Sequence, residues 1–400
     1  MPLTKYRIKP GFNKQATESE AMGQWTDGDF VRFRYGQPEK IGGWASLVSG
    51  NNASIIGAAR DQHVWSDLDG RKYSAIGTNK LLIIYYEGAF YDITPLQTDN
   101  FSTGANITTT NGSTTVTITT SGGHNLLAGD IITFANAGSF TSPDTDYTAT
   151  DFDDVLFEVK TIASATAFTI QMPTAETGTG ATADGTLDVH PYEPVGPLSQ
   201  TYGYGWGTST WSRLTWGSAS TSSTVILDPA SWSLDNWGQV LIATIHNGRS
   251  FTWDPTSGLT TRAVRNNNMP TKSVMSIVSD RDRHLIHLGT ETTLGSPSTQ
   301  DKMFIRFSNQ EDYDVYAPTS VNTAGTFQLD DGTKIVGACK GKDYIMVFTD
   351  TATYRMDFVG PPFTFSIRKV ASNAGLIGQH AAVYTNGAMW WIGARRILCL

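Results

Sequence analysis

Residues 81–93 read LLIIYYEGAFYDI: an apolar and aromatic run, a Glu87-Gly88 corner, then an aromatic return. Short β-branched and aromatic runs bounded by turn residues predict a hairpin. The phrase recurs along the chain. Residues 240–245 (VLIATI) turn at Asn247-Gly248 and return as 250–253 (SFTW). Residues 344–348 (YIMVF) turn near Asp350-Thr351 and return as 353–358 (TYRMDF). Residues 389–392 (MWWI) turn near Ala394-Arg395 and return as 397–400 (ILCL). A further hairpin fits between them, 274–278 and 284–288 about a turn at 280–283. The step from Thr351 to Ala394 is 43 residues, and the 103 from Gly248 to Thr351 leave room for two such units. Propeller blades repeat at about 40 to 50 residues. The expectation is therefore an all-β chain, a β-propeller of antiparallel four-stranded blades. The competing reading is a set of unrelated hairpins in a sandwich. Helical periodicity is confined to one or two turns at 17–22, which rules against a doubly wound parallel sheet.

Composition narrows the class. Of 400 residues, 16% are charged and 11% aromatic, with 11 Trp. Disordered chains carry few aromatics and much charge, so this chain folds around a core. A formal net charge of −8 argues against a dedicated nucleic-acid binder, which needs a basic face to displace counterions. Cys339 and Cys399, the two cysteines, exclude a disulfide framework and a four-thiolate zinc site and fit a reducing compartment. Residues 1–15 are basic without the apolar core of a signal peptide. No apolar run approaches the roughly 20 residues that span a bilayer.

One stretch breaks the repeat. The 160 residues from Gly88 to Gly248 are too many for one blade. At about 101–190 the composition shifts to Thr, Ser, Gly and Ala, yet period-2 alternation persists in 115–119 (TVTIT), 130–134 (DIITF), 155–159 (VLFEV) and 167–172 (AFTIQM). This predicts an inserted small β-barrel or sandwich. Within 101–200, Lys160 stands alone against 11 acids, so an acidic module projecting into solvent is expected. The layout is then an N-terminal hairpin arm (1–50), a first blade region (51–100), the insert (101–190) and further blades (191–400). The run 389–400 ends inside an apolar stretch, so the last blade reads as incomplete.

Candidate chemistry is sparse. Asp144, Asp146, Asp151, Asp153 and Asp154 could offer a calcium ion several oxygens, or be a solvated acidic loop. Asp67 to Gly70 lacks the remaining acids of a calcium loop and reads as a hairpin turn. Gly203, Gly205 and Gly207 lack the following helix that a phosphate loop needs. Trp206, Trp211 and Trp216 recur every five residues. Exposed, they would form a sugar platform or protein anchor; buried, they would staple a loop onto a β surface. The seven histidines form no HExxH and no metal spacing with cysteine, and His284 and His287 on a predicted strand read as structural. There is no GxSxG elbow and no singled-out carboxylate pair. No enzyme, cofactor or metal is expected.

The most distinctive stretch is 25–44, WTDGDFVRFRYGQPEKIGGW. It reads as a strand at 30–35, a turn at Gly36-Gln37-Pro38 and a Gly42-Gly43-Trp44 corner. Arg32 and Arg34 share one face, and Trp25 and Trp44 are expected to be buried anchors. This segment resembles the start of the tail nozzle, or tail tubular protein B-like, family of short-tailed bacteriophages. Residues 111–134, 202–216, 232–238 (WSLDNWG), 349–354 and 359–362 (VGPP) extend the resemblance. It implies a structural virion protein in a homo-hexameric ring, assembled in the host cytoplasm and placed at the tail tip. Its implied partners are other tail proteins, namely the adaptor or tube and the fibres, and the viral DNA that passes through the channel without sequence-specific binding. Arg32, Arg34, Trp25, Trp44 and the three loop tryptophans are its expected interface and structural residues. The alternative is a host-surface protein that binds or degrades glycans, since propellers host such sites.

Overall fold

The computed structural model describes residues 8–43, 55–97, 102–138, 147–177, 187–202 and 226–400. The chain divides into two units, 1–52 and 53–400. In the first, β1 (Lys9–Phe12) pairs in parallel with β2 (Gln24–Trp25). A hairpin joins β3 (Val31–Arg34) to β4 (Gln37–Lys40). The hairpin turns at Tyr35 and Gly36, with φ +51° and +77°. Two successive positive φ values match the right-handed strand twist. Gln37 and Pro38 thus belong to the return strand and not to the expected turn. Residues 17–22 form hydrogen-bonded turns rather than a helix. Phe12 meets Phe33 edge-on at 5.2 Å. Ala21 is the one fully buried apolar side chain among this unit's described residues.

The second unit is a β-propeller of five antiparallel blades. Blade 1 comprises β5 (Ala59–Ser66), β6 (Lys72–Thr78), β7 (Leu82–Tyr86) and β8 (Ala89–Asp92). The chain then leaves for the insert, made of β9 (Ser102–Thr108), β10 (Thr115–Thr119), β11 (Ile131–Ala135), β12 (Leu156–Glu158), β13 (Thr161–Ser164), β14 (Ala167–Gln171) and β15 (Leu187–Pro191). A short pair follows, β16 (Thr201–Tyr202) with β17 (Ile226–Leu227). Blade 2 is β18 (Trp232–Trp237), β19 (Val240–Ile245), β20 (Ser250–Trp253) and β21 (Val264–Arg265). Blade 3 is β22 (Met275–Ser279), β23 (His284–Leu288), β24 (Phe304–Phe307) and β25 (Gly325–Gln328). Blade 4 is β26 (Ile335–Lys340), β27 (Tyr344–Thr349), β28 (Ala352–Gly360) and β29 (Thr364–Ser372). Blade 5 has three strands, β30 (Ala382–Thr385), β31 (Ala388–Ile392) and β32 (Ile397–Cys399).

The first strand of each blade lies innermost, and β5, β18, β22, β26 and β30 follow one another around the axis. Sheets that are apolar on both faces must stack, and they do so pairwise. Trp65, Tyr73 and Ile84 of blade 1 meet Trp232, Phe251 and Trp253 of blade 2. Ile242 meets Val278 and Leu285 between blades 2 and 3, Leu288 meets Val347 between blades 3 and 4, and Phe348 meets Trp391 between blades 4 and 5. The Trp232 indole reaches back to donate to the Thr78 carbonyl at 2.7 Å. It can do so because Gly77 has no side chain: a Cβ there would lie 2.4 Å from the indole. Cys339 and Cys399 are free thiols.

The insert is a seven-stranded antiparallel sheet in the order β12-β11-β15-β9-β10-β14-β13. Its two ends, β12 and β13, are separated only by Val159 and Lys160. Val159 donates to the Asp130 carbonyl on one side, and Lys160 donates to that of Thr169 on the other. One bent strand therefore closes the sheet on itself, a small barrel without a free edge. Its core packs Ile107, Ile118, Phe134, Phe152 and Phe168. The barrel does not stand clear of the body, as its acidity suggested. Ile131 and Leu156 pack on Leu81 and Ile83 of blade 1, and Lys80 pairs with Glu158 at 3.2 Å. At its root, Arg262 of blade 2's last connection donates to Asp92 (3.1 Å) and to the Tyr192 hydroxyl (2.6 Å), while Tyr192 donates to Asp92 (2.6 Å). Burial raises the Tyr192 phenol well above its ordinary range, and the neighbouring Asp92 adds to this.

Candidate functional site at the axis of the propeller

Charged residues interrupt the inner strands at matching levels. Asp61 on β5 accepts the Leu234 N–H of blade 2 at 2.9 Å. Asp235 on β18 accepts the Val278 N–H of blade 3 at 2.7 Å. Each carboxylate thus satisfies a backbone donor of the next blade, which supports its burial. Lys340 at the end of β26 reaches Asp235 (2.8 Å) and Asp280 (3.0 Å). Burial pulls its ammonium down, but the two carboxylates outweigh burial and hold it above its ordinary range. His63 Nε2 meets Asn236 Oδ1 at 2.9 Å. Blade 5 returns to blade 1 here, with His380 Nδ1 3.9 Å from Asp61 Oδ1. Burial raises the Asp61 carboxyl, and His380 and the Leu234 N–H oppose it.

At the end of the axis where the inner strands begin, a cavity of about 400 Å³ opens. Arg60, Asp228, His246, Lys302, Lys334 and His380 line it. Asp228 is the shared acid: His246 Nε2 lies 3.7 Å away, and the Lys302 and Lys334 ammoniums each lie 3.9 Å away. Burial lowers the His246 imidazole, so it is held toward its neutral form, with Asp228 opposing. Its Nδ1 meets the Val274 carbonyl at 3.0 Å. Arg60 donates through Nη2 to the Leu198 carbonyl, while its buried Nε finds no acceptor. Gln379 donates to the Trp232 carbonyl at 3.1 Å, and its buried Oε1 finds no donor.

Of the residues singled out from the sequence in this unit, the described ones (Asp67, Asp151, Asp153, Asp154, His284 and His287) do not line this mouth. Trp25 is half-buried rather than enclosed, because the described residues of its unit form almost no core. Arg32 and Arg34 do share the exposed face of β3. Arg32 pairs with Glu39 at 3.0 Å, and the Arg34 guanidinium lies 5.4 Å from the Tyr35 ring centre. Trp44, Trp206, Trp211 and Trp216 lie outside the described residues, as do Gly203, Gly205, Gly207, Asp144 and Asp146. Asp153 is occupied by the Ala137 N–H and Asp151 by that of Thr148. Among the described residues no three His, Cys, Asp or Glu side chains gather as a metal site. Asp67 accepts from the Asp69 and Arg71 N–H groups and closes a hairpin turn with Gly70 at φ +80°. His284 and His287 are buried and bonded at both nitrogens: to Asp282 and Thr323, and to Ser273 and Tyr316.

The axial residues escaped sequence reading because nothing in their local sequence sets Asp61 or Asp235 apart. Each is the single acid of a tryptophan-bearing stretch, RDQHVW and WSLDNW. Asp228 and Lys334 come from connections between blades and Lys302 from the connection of β23 to β24 inside blade 3, and nothing local links them.

No family model matches the chain. No curated protein matches it. Among solved structures it is similar to Phage phi92 endosialidase, at 14% identity and a TM-score of 0.28, over 83% of this chain and 52% of that one. It is similar to the extracellular domain assigned to a one component system of B. thetaiotaomicron, at 10% identity and a TM-score of 0.26, over 87% and 65%. It is also similar to the computationally designed Ika8 protein, at 9% identity and a TM-score of 0.25, over 84% and 95%. The chain thus spans about half the length of the endosialidase and about two thirds of the second protein. Likeness at these scores carries no activity across.

Proposed function

We propose that the chain is a structural virion protein, a subunit of the ring-shaped tail nozzle of a short-tailed bacteriophage. The observation that carries the reading is the phrase at 25–44 and the form it takes. Its residues 31–40 fold as an exposed hairpin on a unit whose described residues bury almost no apolar side chain, while Met22 and Tyr35 stand 86% and 92% exposed. An element without its own core gains stability from a partner surface, and a ring supplies one in the next subunit. Arg32, Arg34 and Tyr35 then face that subunit. The stacked blades give the stiffness that a conduit wall needs. Mass photometry with negative-stain imaging of the purified chain tests this. A ring of about six subunits with an axial channel is expected; a chain that stays monomeric at micromolar concentration overturns it.

A second reading, a host-surface protein that binds or degrades glycans, draws on the mouth of the propeller. A concave site with convergent, unpartnered polar groups is the usual form of a small-ligand pocket. Binding and hydrolysis on a polysaccharide panel separate the two readings.

A further inference from the structure

We propose that the mouth cavity binds a small hydroxylated anion, a carboxylate or phosphate ester of about monosaccharide size. The argument begins with charge. Lys302, Lys334 and Arg60 face a single carboxylate, Asp228, in a chain whose net charge is −8. At 3.9 Å, both ammoniums lie beyond hydrogen-bond distance of that carboxylate, so their N–H groups retain donor capacity. The two lysines come from different connections, the one before β24 and the one before β26, and converge only in the folded propeller.

The second line is hydrogen bonding. The guanidinium of Arg60 is pinned by its bond to the Leu198 carbonyl, yet its buried Nε has no acceptor. Gln379 is pinned through its amide N–H₂, yet its buried Oε1 has no donor. Buried polar atoms are rarely left unmatched, and each such exception calls for an explanation. A ligand that offers an oxyanion to Arg60 Nε and a hydroxyl proton to Gln379 Oε1 satisfies both. The cavity, about 400 Å³, lies at the lower end of the range for small-molecule sites. This inference depends on neither functional reading, since it concerns one charged group and its hydroxyl.

Isothermal titration calorimetry on the full chain tests it with glucuronate, glucose 6-phosphate, inorganic phosphate and neutral glucose. At least one anionic probe should bind, glucose should not, and the pattern among anions tells carboxylate from phosphate. The double substitution Lys302→Gln/Lys334→Gln should weaken binding about tenfold or more. Asp228→Asn removes the competing carboxylate and should tighten binding severalfold, which keeps the test open if the double variant misfolds. No anion binding more tightly than glucose overturns the proposal. So does anion binding that neither variant changes. Anion binding without affinity for any polysaccharide leaves this inference standing and removes the glycan reading.

Discussion

The barrel at 102–191 and the blades around it bury apolar surface in opposite ways. The barrel is closed, and Ile107, Phe134 and Phe168 pack against its own strands. No blade encloses anything: blades pack face against face on their neighbours, as Trp65 of blade 1 does beside Trp253 of blade 2, with ring centres 6.3 Å apart, while Trp390 and Ile392 stand exposed on the other face of blade 5. A closed sheet is complete by itself, whereas a blade is stable only as a member of the stack. Damage between blades should therefore spread, and damage to the barrel should stay local.

The sharpest test is Trp232→Ala, at the contact of blades 1 and 2. It opens a cavity and strands the Thr78 carbonyl, so a loss of about 3–5 kcal/mol is expected in denaturant titration. A loss below about 1 kcal/mol would break the shared-core picture.

Acid should strike the propeller next. Burial lowers the His287 imidazole from 6.5 to about 3, and Arg306 adds to this. Its folded value lies below its unfolded one, so its contribution to stability is complete above pH 6.5. It falls as pH drops from 6.5 toward 3, by up to about 1.4 kcal/mol per pH unit. At pH 5 the cost is about 2 kcal/mol. Thermal melts from pH 7 to 4 should show a smaller acid loss in His287→Gln than in the parent chain. An identical loss would show that His287 does not titrate this way.

Replacing residues 102–190 by a short Gly/Ser linker should leave the blades folded with one cooperative transition. Leu81 and Ile83 lose Ile131 and Leu156, a cost of roughly 1–2 kcal/mol. An unfolded or aggregated product would mean that the barrel carries the blades and would reverse the comparison.

The smallest effect is expected for Trp25→Ala. The side chain is half-buried in a unit whose described residues bury little besides Ala21, so the isolated chain should lose less than about 1.5 kcal/mol. In an assembled ring the same change should weaken association. A cost of 3 kcal/mol in the monomer would reveal a core that the described residues lack.

Much of the fold was legible. The hairpins at 81–93, 240–253 and 344–358 are strands because β-branched and aromatic runs meet polar corners, and in the first two Glu87 and Asn247 take the positive φ that such corners need. The alternation at 115–119 and 167–171 likewise survives as paired strands. The turns of the repeat, however, are not equivalent. Glu87-Gly88 joins the third and fourth strands of blade 1, Asn247-Gly248 the second and third of blade 2, and 280–283 the first and second of blade 3. A hairpin signal is local, and a strand's rank within a blade depends on which edge meets the axis. Strands β9 (STGANIT), β13 (TIAS) and β15 (LDVHP) carry no apolar run of their own and are held by their partners.

The sequence by itself determined strand against helix, the presence of a compositionally distinct insert, and the exposed arginine face at 31–34, because each follows from the periodicity of nearby side chains. Only the tertiary structure decided the closure of the barrel and the ladder of Asp61 and Asp235 from blade to blade. It alone brought Arg60, Lys302 and Lys334 to one cavity with the carboxylate of Asp228. Those residues lie up to 274 positions apart, and their charges acquire meaning only where five sheets bring their first strands to a common axis.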